Sequence, residues 1–286
     1  MKKIIGLNVS PLPFYNEKKE QNHNKDYAFG QVFPLITYKN FLLPFQFNVS
    51  IDLSEVQEIL LFKYGTNDYI DITQSCIDNG FEIKQRDTYN TVKYPGLLPI
   101  PEIGQEGLYY LRVMLSDESV YSEVFTITNR VDDYIKLEYS NNYNFQSAST
   151  GIIDFAEGFK FRCYLATQIG KPEYTFEEEA TERMGFTFIE SQVSKKVHKF
   201  TFLAPEYLCD ALRLVRLCSN KQLTDKYKTY DALTFSMEPK WEEQGDLAAV
   251  ECEFETDTIL ANVGGYQPVL SGGDFNNDYN NDFNIK

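Results

Sequence analysis

Histidine is scarce in this sequence, and the motifs of metal and nucleotide chemistry are missing. The 286 residues include only His23 and His198, with no H-E-x-x-H pattern and no Cys/His spacing suited to zinc. There is also no G-x-x-x-x-G-K-[ST], G-x-G-x-x-G or G-x-S-x-G segment, so nucleotide binding and serine hydrolysis lack their usual scaffolds. These absences exclude zinc catalysis and argue against an enzyme.

A pair of carboxylates is the one enzymatic arrangement that the composition leaves open. The chain has 42 acidic residues, and this abundance singles out no pair for glycoside hydrolysis. The segment from Asp274 to Asn280 begins like a calcium loop, but Tyr279 occupies the turn position that requires Gly, and no Glu closes the loop before Lys286. We therefore predict a non-enzymatic protein without cofactor or metal.

Paired cysteines and long apolar runs are missing as well. Five cysteines are scattered without a C-x-x-C motif, so we expect reduced, buried thiols rather than a disulfide framework. The start of the chain, Met1 to Leu7, resembles a signal peptide, but the polar Asn8 interrupts it and no cleavage site follows. With no run long enough for a transmembrane helix, we expect synthesis in the cytoplasm and no membrane association. The five cysteines are Cys76, Cys163, Cys209, Cys218 and Cys252.

Positive charge is in short supply. Lys and Arg number 27 against 42 Asp and Glu, which gives a formal net charge of -15. Such a surface repels a phosphate backbone, so direct nucleic-acid binding is not expected. The charge fits either simple solubility or an acidic face for a basic neighbour.

Aromatic residues, by contrast, are plentiful and favour β-structure. The chain has 20 Tyr and 22 Phe against one Trp, and rings of this kind suit half-buried strands and protein interfaces. The clearest element is a hairpin of residues 107–115 and 120–127 around the turn at 116–119, whose first strand alternates apolar and other residues with a period of two. A Gly-x-Tyr-Tyr start to this hairpin resembles the last two strands of an immunoglobulin-like sandwich, without the cysteine pair of antibody domains.

The order of these segments predicts a mainly β protein in four parts. Residues 1–26 mix prolines, charges and amides and are predicted to form an extended N-terminal arm. Residues 27–129 are predicted to form an immunoglobulin-like β-sandwich, and the polar break at 128–130 starts a second β-rich domain, 130–263, with one amphipathic helix at about 204–217. The acidic stretch 173–183 fits either a helix or a strand and turn. Trp241 is assigned to the core in preference to an interface.

Residues 264–286 are predicted to form a flexible tail. They are rich in Gly, Asn and Asp and bury too little apolar area to fold alone. Phe275, Tyr279 and Phe283 recur at every fourth position. We interpret these three residues as anchors that bind a neighbouring protein, with no catalytic, cofactor or metal residues elsewhere.

Several blocks of the chain resemble a family of virion proteins of phages and prophages from gut Bacteroides-type bacteria, including crAss-like phages. The resemblance spans most of the chain but not the Asn/Asp/Phe repeat at its end, and its motifs carry no chemistry. The blocks are Phe29–Thr37 with Leu42–Gln46, Ser122–Thr128 with Tyr134–Tyr139, Lys171–Glu179, Phe202–Arg216 and Trp241–Leu247.

The resemblance implies a place rather than a mechanism. It suggests a structural subunit of the virion, in the tail or neck as a tail hub or connector, that assembles into a ring with itself and with other virion proteins. Sheet edges, loops and the ends of the chain would hold the neighbours. The alternative is a cell-surface adhesion or glycan-binding module that uses its immunoglobulin-like domain and surface Tyr residues.

Overall fold

The computed structural model describes residues 3–6, 9–21, 35–39, 41–96, 105–130, 132–147, 151–183, 186–242 and 246–262. Within these ranges the protein is mainly β, which confirms the predicted class. The first eleven strands form two sheets, and later strands form three more. No described strand before residue 130 is hydrogen-bonded in a sheet to a described strand after it.

The strands of the first half are β1 Ile4–Ile5, β2 Phe14–Tyr15, β3 Leu35–Tyr38, β4 Phe45–Ser50, β5 Val56–Lys63, β6 Tyr69–Asp71, β7 Glu82–Gln85, β8 Tyr89–Tyr94, β9 Gly107–Leu115, β10 Glu118–Ser122 and β11 Phe125–Thr128; a short helix, α1, spans Thr73–Asp78. One sheet has the order β1-β4-β8-β7. The other has the order β2-β10-β9-β11-β3, with β5 paired to β9 and β6 paired to β5.

The two sheets of the first half face each other across an aromatic core. The ring of Phe14 in one sheet lies 4.8 Å from Phe45 and 4.4 Å from Phe47 in the other. The predicted hairpin is confirmed as β9 with β10 and β11. On β9, Leu111 and Val113 are fully buried, as the alternation predicts. The immunoglobulin-like assignment of this sandwich stays a prediction.

The prediction of an N-terminal arm is wrong for residues 3–6 and 9–21. Strands β1 and β2 extend the two sheets, and Leu12 and Phe14 are buried in the core. The prolines around Leu12 favour extended backbone, and here that backbone carries its apolar side chains into the sandwich. Residues 1–2, 7–8 and 22–26 of the predicted arm lie outside the described residues.

The second half contains β12 Ile135–Ser140, β13 Phe145–Ser147, β14 Gly151–Ile153, β15 Phe161–Leu165, β16 Glu173–Arg183, β17 Phe186–Pro205, β18 Asn220–Thr224, β19 Thr229–Asp231, β20 Thr234–Trp241 and β21 Leu247–Asn262, with the helix α2 at Glu206–Leu212. The sheets have the orders β15-β12-β18-β19, β13-β14 and β16-β17-β21-β20.

The predicted helix is present but shorter than expected. It begins after Pro205, and a 3-10 turn at Val215–Leu217 follows its last residue, Leu212. Leu208, Leu212 and Val215 are buried, as their helical spacing predicts. The core assignment of Trp241 is wrong: its side chain, at the end of β20, is 47% exposed. It borders an open cleft beside α2.

Buried polar groups join the two halves of the chain. The fully buried carboxylate of Asp154 lies 2.6 Å from the Arg86 guanidinium and 3.1 Å from the Lys84 ammonium. Burial raises the pKa of Asp154, but a hydrogen bond from the Ala156 amide and the nearby ammonium groups of Lys84 and Lys93 outweigh this effect, so the pKa lies below its ordinary value. The acid therefore stays ionised at neutral pH.

A second contact of the same kind lies nearby. The buried guanidinium of Arg162 donates hydrogen bonds to the carbonyl oxygens of Leu42 and Gly96. Gly96 has φ of +60° there, and a Cβ at this position would lie 2.7 Å from the Leu42 oxygen. Only glycine lets the two backbones approach this closely. Charge-assisted hydrogen bonds of this type hold the second half against the first.

Candidate functional site

The most unusual surface is a sheet that exposes large apolar side chains on both of its faces. We define the β-extension as residues 173–183, 186–197 and 255–262, the outer parts of β16, β17 and β21. Strand β17 has 20 residues, which corresponds to a length of about 66 Å. Every side chain from Glu173 to Ala180 is exposed, although successive side chains of a strand point to opposite faces.

The inner part of the same sheet shows how such a strand is normally buried. There, one face of β17 and β21 packs into the core through Phe200, Phe202, Val250 and Phe254. His198 marks the point where this packing ends: its ring stacks on Phe254 at a centroid distance of 5.2 Å. Beyond His198, Val197 is still buried, but the described side chains farther out are half-buried or exposed, so the β-extension depends largely on its own strand pairing.

Cross-strand register places apolar side chains on both faces of the β-extension. On the face that continues the core face, Phe176, Ser194 and Ile259 lie side by side; on the opposite face, Glu177, Val193 and Leu260 do. Phe176 is 73% exposed, Ile259 62% and Leu260 66%. Large apolar side chains grouped this way on an open sheet are typical of surfaces that bind another protein.

One edge of the β-extension is strongly acidic. The edge strand β16 contains five Glu and one Arg. Two lysines of β17 form ion pairs with these glutamates. The Lys195 ammonium lies 2.6 Å from Glu177, and the Lys199 ammonium lies 2.6 Å from Glu173. These hydrogen bonds raise the pKa of both lysines. Exposed ion pairs stabilise little, so their main effect is to fix the charge pattern that a neighbour meets.

Register irregularities let the long strands bend. The pairing of β16 with β17 shifts between Glu179 and Ala180, and that of β17 with β21 shifts between Lys196 and Val197. The second shift lies where the covered part of the sheet gives way to the β-extension. Bulges of this kind increase local twist and redirect a strand, so these two irregularities help to set the direction of the β-extension.

The predicted anchors Phe275, Tyr279 and Phe283 lie outside the described residues. Strand β21 ends at Asn262, so the predicted tail follows directly from the β-extension. Residues 173–183 fitted either a helix or a strand and turn in the sequence. In the structure they form the strand β16. A usable signal was the alternation of Tyr174 and Phe176 with polar residues, which has a period of two.

None of the described helices is long and apolar enough to span a membrane. Among described residues, no three His, Cys, Asp or Glu side chains are grouped so that they could hold a metal ion. All five cysteines are buried thiols, and burial raises the pKa of Cys163 and Cys218 to about 12. The Cys163 and Cys218 thiols are therefore protonated at neutral pH and are not nucleophiles there.

Comparison with known proteins adds no assignment. No family model matches the chain, and a search of curated proteins finds no match.

Proposed function

We propose that this chain is a non-enzymatic structural subunit of a bacteriophage virion, in the tail or neck, where it assembles into a ring with other virion proteins. The observation that carries the proposal is the β-extension, a three-stranded sheet with exposed apolar side chains on both faces. Small sheets without a packed face are marginally stable in water. A neighbouring subunit that covers the β-extension supplies the missing layer.

The energetic gain from such a neighbour is substantial. Full burial of a side chain like Phe176, Ile259 or Leu260 contributes about 1.5–3 kcal/mol. Association costs at least about 4 kcal/mol in lost translation and rotation, so two or three such contacts offset that cost. The acidic edge strand β16 favours a neighbour with basic groups at the matching positions.

The virion location rests on the family resemblance of the sequence. A ring position agrees with the physical character of the chain, because a net charge of -15 disfavours direct DNA contact and leaves protein–protein contacts as the means of attachment. On this proposal the chain is made in the host cytoplasm and resides in the phage tail. Its partners are other copies of itself and neighbouring virion proteins, and it needs no cofactor.

Two features of the first half support the immunoglobulin-like part of this proposal. The order β1-β4-β8-β7 corresponds to strands A-B-E-D, and β11-β9-β5-β6 corresponds to G-F-C-C′. In addition, the hydroxyl of the buried Tyr109, early in β9, donates a hydrogen bond to the Gln105 carbonyl at 3.3 Å. A tyrosine at the start of strand F makes the same kind of contact in immunoglobulin domains.

Particle composition tests the proposal. Purified phage particles should contain this chain in several copies per particle, and dissociation into head and tail fractions should leave it with the tail or neck. The major capsid protein serves as the control for the head fraction. If the chain is present in infected cells but missing from purified particles, the structural role is wrong.

One observation favours the alternative of a glycan-binding module. At the base of the β-extension, a cleft of about 250 Å³ is lined by Tyr134, Tyr227, Tyr230 and His198. Tyr227 is 80% exposed. Exposed tyrosine rings suit stacking against the ring of a sugar. Saturable binding of soluble glycans that Tyr227→Ala abolishes would favour this alternative.

A further inference from the structure

Along most of one edge of the β-extension, no described strand is hydrogen-bonded to β21. Strand β20 pairs with β21 only as far as Glu255, whereas β17 continues to pair with β21 up to Asn262. On the side away from β17, no described strand pairs with residues 256–262. Along these seven residues, every second residue therefore turns its backbone N–H and C=O groups towards this edge, which is the usual template for strand addition.

The charge of this edge differs sharply from that of the opposite one. Strand β16 carries five Glu, and charged residues on an edge discourage pairing with another strand. Residues 256–262 contain one charged residue, Asp257, while Ile259 and Leu260 are exposed. The β-extension thus has one edge protected by charge and one edge open to pairing.

We propose that residues 256–262 pair antiparallel with the same segment of a second copy of this chain. If the whole free edge pairs with itself, a two-fold axis passes through its central residue, Ile259, which then faces its own counterpart. Asp257 faces Ala261 of the second copy, and Thr258 faces Leu260. The result is one continuous sheet across two subunits, with core-side faces on the same side.

The charge pattern allows a second copy to pair at residues 256–262 but disfavours such pairing at β16. The proposed register brings no two like charges opposite each other, even though each copy carries a net charge of -15. The same arrangement applied to β16 would place Glu178 against itself and Glu177 against Glu179, and like charges directly opposite destabilise a strand pair. Edge length and charge therefore make residues 256–262 self-complementary.

The contact is expected to be weak in dilute solution. Stable, specific interfaces bury about 1,200 Å² or more in total, and a single seven-residue edge is a small part of such an area. In an assembly that already holds two copies together through other contacts, the effective concentration of the two edges is higher. In solution, a covalent trap detects a pair that is formed only part of the time.

Cysteine cross-linking of the full chain tests the register. Ile259→Cys places two thiols on directly opposed residues, whose Cα separation of about 4.5–5.5 Å fits a disulfide. Each bond formed releases two electrons to an added oxidant such as oxidised glutathione. The native cysteines are buried and do not compete. The matched control is Phe176→Cys, which lies on the same face and rung but at the charged edge.

We expect Ile259→Cys to form covalent dimers at least ~10-fold faster than Phe176→Cys, with Leu260→Cys in between and all three variants melting close to the unmodified chain. Equal rates for Ile259→Cys and Phe176→Cys would overturn the inference. An Ile259→Cys thiol that neither dimerises nor reacts with a soluble maleimide would also overturn it, because residues 263–286 or another segment would then cover the edge.

This inference rests on the proposed assembly role, but the two fail separately. A chain found in purified particles whose Ile259→Cys variant does not dimerise keeps its structural role and loses this contact. A chain that dimerises through Ile259 but is missing from particles keeps the contact and loses the virion role.

Discussion

Replacing Phe176, Ile259 and Leu260 together with threonine is expected to abolish incorporation of the chain into particles while leaving the folded monomer intact. The three side chains are 62–73% exposed, so the unassembled subunit loses little packing. Threonine keeps the β-branched preference for strands but removes most of the apolar area that a neighbour covers. The melting temperature should therefore change little.

The expected loss of affinity is large. At about 1.5–3 kcal/mol for each buried side chain, and even with incomplete additivity, the variant should bind its neighbours at least ~100-fold more weakly, since each 1.4 kcal/mol is tenfold. The matched control replaces Tyr143, Leu217 and Leu233 with threonine. These side chains are also large and are 57–79% exposed, but they lie outside the β-extension. Complementation of a phage lacking the gene, scored as infectious particles, separates the two variants. Equal titres would show that the β-extension is not a contact surface.

Asp154→Ala is expected to cause the largest loss of stability from a single polar change. Removing this carboxylate leaves the Arg86 guanidinium and the Lys84 ammonium without their buried partner, and breaking a buried ion pair costs about 3–5 kcal/mol. The lower end applies here, because the Lys84 side chain is 36% exposed and regains water. Chemical denaturation measures the change, with the exposed Asp68→Ala as control. A loss below about 1 kcal/mol would show that the contact between the halves is not stabilising.

Acid should weaken the same contact. The pKa of Asp154 in the folded protein lies below its ordinary value, so its contribution is complete above the unfolded-state pKa of about 3.9 and disappears as the pH falls through the folded-state value. The difference in free energy of unfolding between the unmodified chain and Asp154→Ala should therefore be constant from about pH 5 to 7. It should shrink below about pH 4. A difference that does not depend on pH would mean that the carboxylate is not the group responsible.

Local patterns predicted the elements whose neighbours are close in sequence. The β9 hairpin follows from strict alternation, and α2 follows from Pro205 and the spacing of Leu208 and Leu212. The N-terminal segment was misjudged because its prolines and charges masked two core residues, Leu12 and Phe14. Their burial depends on strands more than 30 residues away in sequence, which no local pattern shows.

The candidate site was less predictable for the same physical reason. The length of β17 depends on β21, which pairs along most of it from a distant part of the sequence. Asp154 is one acid among 42, and its partner Arg86 lies 68 residues before it. Trp241 was expected in the core because of its apolar character, yet it is 47% exposed. Residue type alone therefore did not predict burial.

Electron cryomicroscopy of intact particles, with density assigned to this chain, tests the central claim most directly. The proposal predicts a ring in the tail or neck in which neighbouring subunits cover both faces of the β-extension, so that Phe176 and Leu260 are buried in protein. A chain that is found in the particle with both faces of the β-extension against solvent would contradict it.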